Sequence, residues 1–241
     1  MKKKKITYSL IIPAFNEEKF LPIIFESVKN QTEPFDEIIV VDNNSKDGTA
    51  KVARKFGARV VHESKKGIAN ARNAGAAAAK GEMICFSDAD GYLHEKWLFS
   101  LKEAVLRERG KIAFSGLVYF GHTKFWKYIY FNIYTTIAYL INFANYFVFG
   151  KIFLSGNNFA IDRKTYLALG GTPAVISEDV YFSKLFWKKY PGYCGFVWGM
   201  ENRISARRFE KEGYLRTVFL WIGSALKKRS QEDYGRVWNS L

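Results

Sequence analysis

The amino-acid sequence predicts an α/β fold in which helices flank a central, mostly parallel sheet. Short runs rich in strand-forming residues alternate with helical patterns through the first half of the chain, as they do in βαβ units. Polar motifs directly follow three of these runs, at the position where such sheets bind ligands. The 241 residues, 48% of them hydrophobic, are enough for one sizeable core.

The first half of the chain alternates strands and helices. Short apolar runs predict strands at residues 6–12, 37–41, 59–62, 83–87 and 112–119. Helical patterns predict helices at residues 17–30, 49–56, 68–80 and 95–108. The alanine-rich residues 74–79 suit a helix packed closely on the sheet. Right-handed crossovers would gather the carboxyl ends of the parallel strands at one edge.

An uncharged aromatic segment opens the second half, at residues 128–149. Its length is enough to span a bilayer, but polar side chains recur along one helical face. Because a single crossing would separate the two halves of a shared site, we expect an interfacial helix or a re-entrant hairpin within residues 124–150. A helix buried inside the protein is the alternative. A further strand is predicted at 159–161 and a helix at 180–189, capped by Ser177.

The predicted domain covers residues 1–204, and residues 205–241 form a basic, amphipathic appendage. An apolar stripe runs from Leu215 to Leu226 and leads into Lys227-Lys228-Arg229. Such a helix suits a membrane surface or packs on its own domain. The lysines at positions 2–5 are a solubilising tail or a contact with anionic lipid, since the apolar run after them is too short for a signal peptide.

The charge balance predicts an anionic partner. The net charge is +14, with 37 Lys and Arg against 23 Asp and Glu. Nucleic acid, anionic lipid and phosphorylated substrates all fit this charge. Both cysteines, Cys85 and Cys194, lie in apolar runs, which favours two buried thiols and a reducing, cytoplasmic compartment.

The clearest chemical motif is Asp88-Ala89-Asp90, which follows the apolar run 83–86. Two carboxylates at a strand end can share a hard cation such as Mg²⁺ or Mn²⁺, which keeps open positions for phosphate oxygens. A solvated turn is the alternative. Gly81 and Gly91 on either side favour the loop assignment.

Two other strand ends carry polar motifs. Pro13-Ala14-Phe15-Asn16-Glu17 offers an aromatic ring and polar groups to a nucleotide base, or a helix cap by Asn16. Asp42 begins a loop dense in turn residues, where a carboxylate can accept a hydrogen bond from a base edge.

Three later motifs complete the candidate site. Glu178-Asp179 places two acidic residues at the start of a helix. In a reaction that transfers a group to a hydroxyl, a carboxylate is needed to take the proton of that hydroxyl. At Gly156-Asn157 the molecule that carries the hydroxyl, the acceptor, can approach the backbone closely. These two residues and Glu178 are therefore predicted to lie on the acceptor side of the site. Arg207-Arg208 suits a diphosphate leaving group, although such a pair is also common surface charge.

Taken in order, these motifs resemble those of the family 2 glycosyltransferases. The resemblance covers about residues 7–190 and includes Asp42-Asn43-Asn44-Ser45, Arg72-Asn73-Ala74-Gly75 and the acidic pairs. It implies a GT-A fold and inversion of the anomeric centre by direct displacement. It also implies a nucleotide-sugar donor and a divalent metal.

The resemblance also implies a role for each matching residue. Asp179 would be the general base, Asp90 would bind the metal and Asp88 would lie near the ribose or sugar. The nucleoside site would be lined by Pro13, Phe15 and Glu17, the base would be contacted by Asp42, and the donor phosphates would lie near Arg72.

The sequence therefore predicts a non-processive hexosyltransferase at the inner face of the cell membrane. Its acceptor is a hydroxyl or a lipid phosphate, on a polyprenyl lipid or a glycan of the cell envelope. The Gln-x-x-Arg-Trp motif of processive synthases is missing from the sequence. We expect no nucleic acid as partner, although a nucleic-acid-binding module or a nucleotidyltransferase is the alternative. A nucleic-acid-binding module leaves the carboxylates at the strand ends unexplained. A nucleotidyltransferase would need a Gly-rich, phosphate-binding loop after the first strand, and the sequence has no such loop there.

Overall fold

Eight strands form one mixed sheet in the described part of the computed structural model, which covers residues 5–121 and 125–207. For residues 125–128, 130, 131 and 134 only the backbone is described. The strands are β1 (Tyr8–Ala14), β2 (Glu37–Asp42), β3 (Arg59–His62), β4 (Met83–Phe86), β5 (Tyr92–Leu93), β6 (Ala113–Gly121), β7 (Phe159–Asp162) and β8 (Cys194–Ser205). The helices are α1 (Leu21–Lys29), α2 (Thr49–Lys55), α3 (Ile68–Ala78), α4 (Trp97–Arg107), α5 (Phe125–Phe149), α6 (Arg163–Ala168) and α7 (Glu178–Lys189).

The strand order confirms the predicted fold class. The order is β3-β2-β1-β4-β7-β6-β8-β5, and β1, β2, β3 and β4 run parallel. The β6–β8 pair is also parallel, whereas β7 runs antiparallel between β4 and β6, and β5 runs antiparallel to β8. Because Phe159 of β7 pairs with Phe86 of β4, the loop before β7 lies next to the loop after β4.

Two hydrophobic clusters cover the two faces of the sheet. Leu10 and Ile12 of β1 belong to one cluster and Ile11 to the other, so this strand is buried on both sides. Cys85 and Cys194 are free and buried, as predicted.

One predicted helix start is wrong, and one predicted cap residue stands in place without a capping bond from its side chain. The first helix begins at Leu21, not at residue 17, because the backbone N–H groups of Asn16 and Glu17 donate to Ser45 Oγ (3.0 Å) and Thr49 Oγ1 (2.8 Å) in the neighbouring loop. Asn16 has a positive φ of 56° and is not the helix cap. Ser177, also with a φ of 56°, precedes α7 without capping it through its side chain. The Asp179 carboxylate accepts from the N–H of Val180 instead.

The aromatic segment forms one unbroken helix, α5, so the predicted hairpin is wrong. One face packs on the sheet: Tyr139 Oη donates to the carbonyl of Gly116 (3.0 Å), and the Phe143 ring meets Phe196 edge-on at 4.7 Å. The opposite face is not buried, since Leu140 is 63% and Phe147 82% exposed. Within the described ranges, none of the helices combines the length and apolarity that crossing a membrane requires.

Candidate active site

A cavity of about 730 Å³ lies at the carboxyl ends of β1 and β4 and extends to α5. Its lining includes eleven of the predicted site residues: Pro13, Phe15, Glu17, Arg72, Asp88, Asp90, Gly156, Asn157, Glu178, Asp179 and Arg207. The predicted Asp42 is not in this lining; Asn43 is. Arg208 and the apolar stripe that follows it fall outside the described residues.

The loop after β2 fixes the position of Glu17. Asp42 Oδ1 accepts from Ser45 N (3.0 Å) and so shapes that loop, whose Ser45 and Thr49 hold the backbone of Asn16 and Glu17. Glu18 Oε2 closes the contact by accepting from Gly48 N (2.9 Å). Asp42 therefore orders the wall of the cavity that is proposed for the nucleoside.

Arg207 lies between two acidic side chains of the cavity. Its Nη2 donates to Glu17 Oε1, and its Nε lies 2.9 Å from Asp90 Oδ2. The guanidinium also stacks 4.1 Å above the Phe20 ring. Burial raises the pKa of Glu17 to about 7, although Arg207 acts to lower it. Glu17 and Asp90 thus share the guanidinium of Arg207.

A divalent metal fits this part of the cavity. Glu17 Oε2 is buried without a hydrogen-bond partner, and Asp88 and Asp90 are close enough to raise the pKa of Glu17. These oxygen donors are those that Mg²⁺ and Mn²⁺ prefer. No group of three or more His, Cys, Asp or Glu side chains in the described ranges is placed to hold a metal. The described residues therefore supply part of a coordination sphere and not a complete one.

Asp179 lines the same cavity beside Gly156. It is partly buried and faces the cavity, where its Oδ2 accepts from Gly156 N (3.3 Å) and its Oδ1 from Val180 N (2.9 Å). Burial raises the pKa of Asp179 to about 6; Glu178 raises it further and Arg72 lowers it. A carboxylate with this pKa is ionised at neutral pH and still basic enough to take a proton.

Arg72 of α3 joins the loop after β4 to the start of α7. Its Nη1 donates to Glu178 Oε1 (2.6 Å), and its Nη2 donates to Asp88 Oδ1 (3.3 Å). The residue is 2% exposed. Its pKa is raised despite burial, which alone would lower it, because three carboxylates surround it.

The sequence analysis missed the residue that holds the floor of the site. Asn202 of β8 is fully buried; its Nδ2 donates to Ser87 Oγ (3.2 Å) and to the carbonyl of Asn157 (2.6 Å). It therefore ties the Asp88 loop to the loop before β7. The sequence carried no signal for it, because Asn202 stands between Glu201 and Arg203 and β8 itself was not predicted.

The sheet and the carboxylate-lined cavity at its edge define a protein of the GT-A class. The sequence model described as "Glycosyl transferase family 2" matches residues 9–169, well over half of the chain. The chain belongs to this family, as the motifs predicted.

Curated relatives match the chain over part of their length. Glycosyltransferase AglE of Haloferax volcanii is 34% identical over 116 residues, 45% of this chain and 35% of that protein. Dolichyl-phosphate beta-glucosyltransferase of Mus musculus is 34% identical over 99 residues, 34% of this chain and 31% of that protein. The matched segment thus spans about a third of each relative.

A solved structure has the same fold. Glucosyl-3-phosphoglycerate synthase from Mycobacterium tuberculosis, in complex with Mn²⁺, UDP-glucose and phosphoglyceric acid, superposes with a TM-score of 0.63. The identity is 18%, and the match covers 91% of this chain and 80% of that chain. At this identity the likeness establishes the fold alone.

Proposed function

We propose that the chain is an inverting, metal-dependent glycosyltransferase that moves a sugar from a nucleoside-diphosphate donor to an acceptor hydroxyl. The observation that carries this proposal is that one cavity contains two acidic groups held on different elements. Asp90 pairs with Arg207, whereas Asp179 accepts from Gly156 N and follows Glu178. In the proposed arrangement the sugar lies between them, with its diphosphate near Asp90 and Arg207 (the donor end) and the acceptor near Asp179 (the acceptor end).

The nucleoside would lie against Pro13, Phe15 and Glu17. All three line the cavity, and the Phe15 ring already faces a cation, Lys66 Nζ, at 5.4 Å. The contact between Asp42 and the nucleotide base remains a prediction, because the Asp42 carboxylate accepts from Ser45 N in the loop beside the nucleoside wall. Asp88 is assigned to the ribose or the sugar.

Asp90 would hold the divalent metal, with the donor diphosphate completing the coordination. When bound, the metal neutralises charge that builds on the departing diphosphate. Arg207 lies next to Asp90 and supplies a second positive charge for the same group. Arg208, which is not among the described residues, is proposed to assist Arg207 in this role.

Asp179 acts on the acceptor. The acceptor oxygen forms a bond to the anomeric carbon, its proton passes to the Asp179 carboxylate, and the bond from that carbon to the diphosphate oxygen breaks. Attack from the side opposite the leaving group inverts the anomeric centre. Gly156, Asn157 and Glu178 border Asp179 and would receive the acceptor.

A donor screen tests the class of reaction. We expect the purified protein, with Mn²⁺ and a panel of nucleotide sugars, to release nucleoside diphosphate from one donor, to stop when the metal is chelated, and to be stimulated by a polyprenyl-linked acceptor. The product stereochemistry tests inversion. Release of pyrophosphate from a nucleoside triphosphate would instead indicate a nucleotidyltransferase. Oligonucleotide binding with a steep salt dependence and no turnover would indicate a nucleic-acid-binding module.

The outer face of α5 supports peripheral contact with an anionic bilayer on the cytoplasmic side. Ile137, Leu140 and Phe147 lie on this face at helical spacing, and each is more than half exposed. Trp198, 64% exposed, stacks on Phe143 nearby, and Trp is enriched at membrane interfaces. Lys151 lies 5.5 Å from the Phe149 ring, and the net charge of +14 favours anionic lipid.

The inner face of α5 supports a lipid-borne acceptor. Tyr139, Asn142 and Asn145 line the cavity that also contains Asp179. A molecule anchored in the bilayer beside α5 could therefore bring its head group to the base. An acceptor hydroxyl suits the site better than a phosphate, because Glu178 and Asp179 would repel an anion that needs no base.

The membrane contact predicts a specific loss of binding. The double variant Ile137→Glu and Leu140→Glu is expected to lower binding to anionic liposomes roughly 10-fold or more, because two apolar side chains no longer enter the lipid. Co-sedimentation at low salt measures the effect. Leu106→Glu is the matched control, since Leu106 of α4 is also exposed, at 58%, but lies outside α5. Equal binding by all three proteins, or none by the parent, would reject this surface.

A further inference from the structure

Arg72 is the only described side chain that forms ion pairs with carboxylates from both ends of the cavity. It bonds Asp88, in the loop after β4, and Glu178, at the start of α7, which lie 16 and 106 residues away in the chain. Asp179, the proposed base, directly follows Glu178. One guanidinium therefore connects the donor loop to the helix that carries the base.

We propose that Arg72 is a positioning residue, which sets the distance between the donor loop and the base helix without contacting the donor. This inference rests on the proposed function, because it assigns Arg72 a part in that reaction. It differs from the role that the family resemblance implies, a place near the donor phosphates.

The geometry leaves little room for a phosphate at Arg72. Both terminal nitrogens already have carboxylate partners, Nε is buried without a hydrogen-bond partner, and the residue is 2% exposed. Gly156 covers the guanidinium so closely that a Cβ there would lie 2.6 Å from Nη2 and 2.7 Å from Nη1. The small residue at position 156 is thus required by the arginine beneath it.

The same arrangement controls the charge of the base. The charged and titratable groups near Asp179 are Glu178 on its own helix, Arg72 on α3 and, around Arg72, Asp88 and Tyr166 of α6. Arg72 is the one cation among them. Without it, the charge of Glu178 would act on Asp179 unopposed, and Asp179 would hold its proton to higher pH.

Arg72→Lys tests the proposal, because a single ammonium cannot reproduce the fork that joins the two carboxylates. We expect kcat to fall on the order of 100-fold, since small misplacements of reacting groups have effects of that size. The donor KM and the Kd of nucleoside diphosphate with Mn²⁺ should change less than about 3-fold, whereas a lost phosphate contact would weaken them about 10-fold or more. The acid limb of the pH–kcat profile should move up by about one unit or more.

Arg163→Lys is the matched control. Arg163 also contacts α3, through Nε to the carbonyl of Ala76 (2.9 Å) and Nη2 to that of Ala77 (2.8 Å), but it is not in the cavity lining. Its variant should keep the parent pH profile and kcat. A shared loss of kcat in both variants would mean that Arg72 merely stabilises α3, which overturns the proposal.

Gly156→Ala provides a second test if Arg72→Lys fails to fold. The added methyl group would displace the guanidinium, so the variant should lower kcat and move the acid limb in the same direction as Arg72→Lys. A raised donor KM and weaker nucleotide binding, with kcat and pH profile unchanged, would overturn the proposal in favour of direct phosphate contact. No turnover by the parent protein would instead refute the proposed function.

Discussion

Replacing Asp179 with Asn is expected to lower the rate of sugar transfer by about 10²- to 10⁴-fold, the usual contribution of a general base. The amide keeps the shape of the side chain and can still accept from Gly156 N, but it cannot take the proton of the acceptor hydroxyl. Donor binding should remain, because the donor end of the cavity is unchanged. Initial rates at saturating substrates measure the loss, and calorimetry with nucleoside diphosphate and Mn²⁺ measures binding.

The pH dependence gives this prediction a second observable. Because the pKa of Asp179 is raised to about 6, the base is ionised at pH 7 and becomes protonated as the pH falls through that value. The parent rate should therefore fall on the acid side of about pH 6, and the residual rate of Asp179→Asn should lack this limb. Glu103→Gln, on the exposed surface of α4, is the control and should behave like the parent. A near-normal rate in Asp179→Asn would remove this residue from the mechanism.

The location of the site could be predicted from the sequence because it depends on local signals. Apolar runs that lead within a few residues to Glu17, Asp42 or Asp88 mark the ends of strands, and parallel strands place those ends at one edge. The structure brings Glu17 and Asp88 to one cavity. Asp42 lies at the predicted strand end, but its carboxylate turns to the Ser45 backbone, a choice that spacing does not encode.

The connections within the site could not be predicted. Arg72 meets Glu178 across 106 residues, and Asn202 meets Ser87 across 115, so both contacts depend on the strand order rather than on any local pattern. The antiparallel insertion of β7 between β4 and β6 is what brings Gly156 to Arg72. The assignment of Gly156 to the acceptor side followed from the close approach to the backbone that a glycine allows, whereas its closeness to a guanidinium is a property of the fold.

The aromatic segment illustrates an ambiguity that periodicity leaves open. Its polar stripe predicted a helix with two unlike faces, and α5 has them. The sequence did not reveal which face would meet the sheet. Tyr139 and Asn142 turn inward because the backbone of Val118 and Gly116 and the N–H of Phe153 provide hydrogen-bond partners, and the apolar side chains are left outside. A helix that turns part of its polar stripe towards the sheet and exposes isoleucine and leucine supports the proposed contact with lipid.

Replacing Asp90 with Ala is expected to lower the rate of sugar transfer by about 10³-fold or more, because the proposed metal ligand is lost. Loss of metal affinity should accompany the loss of rate. Titration of Mn²⁺ followed by electron paramagnetic resonance, with nucleoside diphosphate present, measures that affinity independently of turnover. Near-normal turnover of the variant with donor and metal saturating would contradict the proposed role.

The variant also removes a partner of Arg207, so the two effects must be separated. Asp90→Asn keeps an oxygen that can accept from Arg207 Nε but loses the negative charge that a metal needs. Arg207→Lys keeps Asp90 and alters the cation instead. If Asp90 holds the metal, Asp90→Asn should weaken Mn²⁺ binding as much as Asp90→Ala does. Arg207→Lys should lower the rate of transfer and leave the Mn²⁺ affinity unchanged. Equal Mn²⁺ affinity in all these variants would mean that Asp90 serves to hold Arg207, and the cation would then have to be bound elsewhere.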